Sequence, residues 1–147
     1  MKKRIVEKTV KDKNTFLKLL LWVFAIYHIV LGVAAMFLSG LAEEVASIVF
    51  NFNLTLDTQT LWLLQPLSAY VLGFGLLMLI VLKDIKKYKP IIYIAVIFIA
   101  IRVVQRIAFL ISGGEFIFSA DPIRNVISTS LLAIYGLLVF FLTRKVK

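Results

Sequence analysis

The stretch IIYIAVIFIAIRVVQRIAFLI, Ile91 to Ile111, is a membrane-length apolar run interrupted by two arginines, Arg102 and Arg106, and by Gln105. Its length suffices to cross a hydrocarbon core about 30 Å thick. An arginine at the centre of such a helix costs roughly 2.5–3.5 kcal/mol on insertion scales. The surrounding Ile, Val, Phe and Leu side chains offset that cost, so the segment reads as a membrane helix carrying a polar site. Charge inside a membrane span is by default a pointer to function.

Working outward, three more blocks have the same character: Phe16–Leu38, Leu61–Leu82 and Ile123–Leu142. The 147 residues are 61% hydrophobic with a mean hydropathy of +0.97, whereas a soluble domain is about 45–50% apolar. The expected fold class is therefore all-α, an integral membrane four-helix bundle. Its helices are expected at about 16–38, 61–82, 90–111 and 122–143, in one domain over 16–143. A basic segment, 1–15, precedes it and a basic tail, 144–147, follows. The first block is too long for a signal-peptide core and lacks a small-x-small cleavage site behind it, so it is read as an uncleaved span.

The net charge of +9 matters through its distribution. Lys2, Lys3, Arg4, Lys8, Lys11 and Lys13 precede the first block; Lys83, Lys86, Lys87 and Lys89 lie between the second and third; Arg144, Lys145 and Lys147 end the chain. The connections Ser39–Thr60 and Ser112–Asp121 hold no Lys or Arg, only Glu43, Glu44, Asp57, Glu115 and Asp121. The positive-inside rule then predicts both termini on the cytoplasmic side of an inner or plasma membrane. The basicity is juxtamembrane, worth about 1 kcal/mol per residue against an anionic leaflet, so nucleic acid is not an expected partner. The chain has no cysteine, which excludes disulfides, thiolate metal sites and thiol nucleophiles.

Local signals place the ends of the helices. Asn14 or Thr15 can cap the first helix. Pro90 fits a first turn, and Asp121-Pro122 reads as a cap followed by a first helical position. Ser112-Gly113-Gly114 reads as a glycine helix stop. The short connection Lys83–Lys89 predicts an antiparallel hairpin of the second and third membrane helices. Leu41, Val45, Ile48, Val49 and Phe52 share a face, which predicts a short interfacial helix in the first outer loop. Glu115-Phe116-Ile117-Phe118 is apolar enough to dip back toward the bundle. Ala69 with Gly73, Thr129 with Ala133 and Gly136, and Gly32 and Gly75 mark points of close helix approach.

The polar residues of the spans gather in the outer half. Counting about 1.5 Å per residue, Arg124 lies within about a turn of the outer face, Gln65 and Arg106 at about 6–8 Å, Ser68 and Ser128 at about 9–11 Å, and Arg102 and His28 at about 13–17 Å. Arg102, Gln105 and Arg106 share one helix face. The expectation is an outward-opening cavity lined by Arg102, Arg106, Gln105, Gln65, His28, Arg124 and Ser128. No Asp or Glu lies within the spans. Either an outer-loop acid folds inward or the cavity is cationic and suits a phosphate, a carboxylate or a quinone oxygen, which an arginine fork binds well. Plainer roles compete: Arg106 and Arg124 can snorkel, Arg102 can make a structural salt bridge, and His28 can be a hydrogen-bonded packing residue.

Catalytic patterns are sparse. There is no carboxylate pair, metal-ligand cluster, Ser–His–Asp set or phosphate loop, so no catalytic residue, metal or cofactor is expected.

The layout resembles small bacterial four-helix membrane proteins of the DoxX-like and BphX-like group. The likeness rests on length, topology and RVVQRIAFLISGG, Arg102 to Gly114. It implies the bundle fold. It also implies that an amphiphile such as a sterol binds between the helices, as in relatives of that architecture. Their sites often use acidic residues that these spans lack, so no site residue carries over.

Three readings follow. The leading one is a non-catalytic binder of an anionic or polar-headed amphiphile (a lipid, quinone or similar ligand). The second is an accessory protein whose arginines pair with a partner helix, its apolar outer loops forming the docking surface; a membrane protein partner or a homodimer is the expected assembly. The third is an enzyme on a lipid or quinone, with His28 as acid or base.

Overall fold

The computed structural model describes residues 2–50, 57–112 and 121–146. The regular structure among them is helical: α1 Lys2–Phe37, α2 Ser39–Phe50, α3 Thr58–Lys83, α4 Lys89–Ser112 and α5 Pro122–Arg144. Thr15–Phe37, Thr58–Lys83, Lys89–Ile111 and Pro122–Arg144 are each long and apolar enough to cross a membrane. The chain is a helical, multi-pass membrane protein. Many large apolar side chains, such as Trp62, Tyr70 and Ile111, lie on the surface, as a lipid solvent allows.

The helix ends follow local chemistry, with two departures from expectation. α1 does not start at Asn14 or Thr15; it runs unbroken from Lys2. No Gly or Pro precedes Gly32, and the Lys-, Arg- and Glu-bearing segment favours helix, so the apolar span propagates backward. α3 begins three residues before Leu61, because Asp57 caps it by accepting the Thr60 N–H at 2.7 Å. Pro90 falls in the first turn of α4, as expected. Asp121 caps α5 through the Ile123 N–H at 2.9 Å, with Pro122 at the first position. The connection between the first two spans contains a helix, α2; the expected continuation to Phe52 lies outside the described residues. Gly113, Gly114 and Glu115–Phe118 lie outside the described residues.

Close backbone approach sets the packing. A Cβ on Gly32 of α1 would stand 2.6 Å from the Leu72 backbone nitrogen of α3. One on Gly75 would stand 2.9 Å from the Ile29 nitrogen. These two notches make α1 and α3 the most extensive pair. Gly136 likewise admits Ile99, joining α5 to α4. Tyr135 of α5 donates to the Leu20 carbonyl of α1 at 2.8 Å, tying the pairs together. α3 and α4 touch little despite their short connection. The expected hairpin is thus a covalent neighbour relation more than a packing one, because its facing sides carry no such notch. Gly73 meets nothing within 4 Å, and Ala69 beside it is exposed. Lys89 donates to the Val146 carbonyl at 2.9 Å, fastening the tail of α5 to the start of α4.

Candidate functional site

Arg106 faces α5. Its Nη1 donates to Ser128 Oγ at 2.7 Å, and Ser128 Oγ in turn donates to the Asn125 carbonyl at 3.1 Å. Asn125 is itself buried, and its Oδ1 accepts from the buried Thr129 at 3.4 Å. Arg102 lies one turn before Arg106 on α4. The result is a polar seam through the α4–α5 contact, half-buried at Arg106 and buried at Asn125.

Arg102 is placed differently. It is exposed and donates to Gln105 Oε1 at 2.7 Å, three residues on. The pair sits on the surface of α4, with the carboxamide fixing the guanidinium.

His28 is half-buried among rings. Its Nδ1 donates to the Phe24 carbonyl at 2.8 Å. Ring centroids lie 4.0 Å away at Phe24, 5.2 Å at Tyr27 and 5.5 Å at Phe74. Phe74 continues to Phe98 of α4 at 5.7 Å, and Phe24 stacks on Tyr135 at 5.9 Å. His28 is therefore part of an aromatic knot that joins all four long helices, with its described hydrogen bond to its own helix.

Gln65 is exposed on α3. It is nine residues from Phe74, or half a turn round the helix at about 100° per residue, and Phe74 is the side chain that reaches α4. Gln65 thus turns away from Arg102. Nearby, Ser68 is buried and donates to the Gln65 carbonyl at 2.6 Å. Arg124 is exposed; its Nε lies 3.6 Å from Asp121 Oδ2, and its Nη1 donates to the Ile48 carbonyl at 2.6 Å. Ile48 lies in the last turn of α2, where carbonyls lack intrahelical partners. Arg124 is thereby a strap from the start of α5 to the end of α2.

No family model, curated protein or solved structure matches this chain.

The structure thus joins Arg106 with Ser128 and Arg102 with Gln105, and leaves the two pairs adjacent on α4. It does not bring Gln65 to them. His28 sits in the aromatic knot instead, and Arg124 is engaged by Asp121 and α2. Glu43 and Glu44 are exposed on α2, and Glu115 lies outside the described residues. Among the described residues no group of three His, Cys, Asp or Glu could hold a metal ion. Sequence reasoning missed Asn125, whose signal was present: a carboxamide four residues before Thr129 on the face that carries Gly136.

Proposed function

We propose that this chain is a non-catalytic binder of a polar- or anionic-headed amphiphile, held at the α4–α5 seam in the outer half of the membrane. Both termini are cytoplasmic in this reading, and α2 lies on the outer interface. The distribution of Lys and Arg supports that orientation. The carrying observation is the 2.7 Å bond from half-buried Arg106 to Ser128. Ser128 holds the guanidinium from the neighbouring helix. A planar, five-donor guanidinium fixed in this way suits a phosphate, carboxylate or quinone oxygen. Arg106 is six residues from the end of α4, about 9 Å, a depth that a leaflet head group reaches. Kinship with the DoxX-like group belongs to the same proposal and rests on topology and the Arg102–Gly114 stretch.

Native mass spectrometry of protein released from mild detergent tests this. A discrete bound mass in wild type, lost in Arg106→Gln and kept in Arg124→Gln, is the expected result. Equal occupancy in wild type and Arg106→Gln, or bare protein in every sample, removes the binding site from Arg106.

A further inference from the structure

Of the four spans, α4 is the least covered by the rest of the fold: 11% of its 18-residue apolar stretch is buried, against 22–28% for the others. One side of it packs on α5, with Ile99 against Gly136. Away from that contact, Ile94, Phe98, Ile101, Gln105 and Ala108 are all exposed, although one edge of Phe98 meets the Phe74 ring of α3 at 5.7 Å. They follow one another at steps of four, three, four and three residues, the spacing of a helix–helix seam. Arg102 stands on the edge of this seam, exposed and bonded to Gln105. The thin contact between α3 and α4 leaves room beside it.

We propose that this face of α4 receives a membrane-spanning helix of another protein that carries an Asp or Glu at the depth of Arg102. Charge complementarity selects that occupant. Arg102 lies ten residues from Ser112, about 15 Å along the helix, near the middle of a hydrocarbon core about 30 Å thick. A lipid phosphate sits at the surface of that core, whereas a side chain on a crossing helix sits at mid-depth without deforming the leaflet. A second copy is the wrong partner: no span holds an acid, so a symmetric contact sets Arg102 against Arg102. Removed from water, the arginine–carboxylate pair gives the contact both strength and register. Gln105 serves as the orienting group, holding the guanidinium toward the seam before the partner arrives.

The test uses the full chain, donor-labelled and reconstituted in phosphatidylcholine vesicles. Acceptor-labelled leucine–alanine transmembrane peptides carry Glu, Gln or Leu at the central position. The Glu peptide is expected to associate at least tenfold more tightly than the Gln and Leu peptides. Arg102→Gln should erase that preference, and Arg102→Lys should keep part of it. Ile101→Trp retains the charge but obstructs the seam, and should weaken the Glu peptide at least fivefold; it decides the matter if Arg102→Gln fails to fold. Equal binding of the Glu and Leu peptides overturns the proposal, as does a Glu preference that survives Arg102→Gln. Two further outcomes overturn it: loss of the preference on adding phosphatidylglycerol, which assigns Arg102 to a lipid, and chain–chain energy transfer that outcompetes the peptide, which assigns the face to a second copy. The head-group proposal concerns Arg106 and is tested by its own variant, so either can fail alone.

Discussion

Arg106 on α4 and Ser128 on α5 are joined by a 2.7 Å hydrogen bond across a helix seam, and Ser128 relays that contact to the Asn125 carbonyl. The guanidinium is therefore aimed by α5 as well as by its own helix. Bonds to charged groups contribute about 1.5–3 kcal/mol when well shielded; half-exposure lowers this to about 1 kcal/mol. A double-mutant cycle with Arg106→Gln and Ser128→Ala, read by reversible unfolding in detergent, should show coupling of that size. Additive effects would mean that the two side chains do not act together.

The glycines give a sharper packing prediction. Gly32→Ala places a methyl group 2.6 Å from the Leu72 backbone nitrogen, which only a backbone shift relieves. Overpacking of this kind costs about 1–3 kcal/mol, so the melting temperature should fall by several degrees. Gly73→Ala is the matched control, because nothing lies within 4 Å of the added carbon; helix propensity predicts no loss, or a gain of up to about 1 kcal/mol. Indistinguishable melting of the two variants would count against the close α1–α3 approach.

Asp57 links the start of α3 to pH. The Thr60 side chain and then the Thr60 amide hold its carboxyl below its ordinary value of 3.8. A depressed folded-state value means that the capping contribution is fully present above 3.8 and is lost as pH falls through the lower folded value. Protection of the Thr60 amide, taken relative to its intrinsic exchange rate at each pH, should fall in that acidic window and stay constant at neutral pH. Asp57→Asn, which keeps a capping oxygen without the titration, should show no such step.

The fold was readable because each membrane span announces itself by length, and because Asp121-Pro122 and Pro90 are local signals that tertiary structure has little reason to override. Which helices pair was less readable. Gly32, Gly75 and Gly73 look alike in the sequence; only the rotation of each helix decides that two of them meet a backbone and the third meets lipid. The same rotation separates Gln65 from Arg102 although counting along the chain puts both in the same half of the bundle. Depth along a helix is countable from sequence, but azimuth depends on contacts made elsewhere. Arg106 and Ser128 were found because their faces happened to be the packed ones.

Arg124 carries the last prediction. Its Nη1 donates to the Ile48 carbonyl at 2.6 Å, while Asp121 steadies its Nε at 3.6 Å. A cation at the C-terminal end of a helix also meets the negative end of the helix dipole, so the strap has two sources of attraction. On an exposed surface the hydrogen bond contributes about 1 kcal/mol, roughly a fivefold change in the opening equilibrium. Arg124→Ala should therefore raise amide exchange through the last turn of α2 by about that factor, with α4 and α5 unchanged beyond the first turn of α5. Asp121→Asn keeps the capping oxygen but removes the charge that steadies Nε, and should give a smaller increase. If exchange in α2 is the same in wild type and Arg124→Ala, α2 is held by its apolar face alone. A head-group ligand lost in Arg124→Gln would instead move Arg124 from the strap to the binding site.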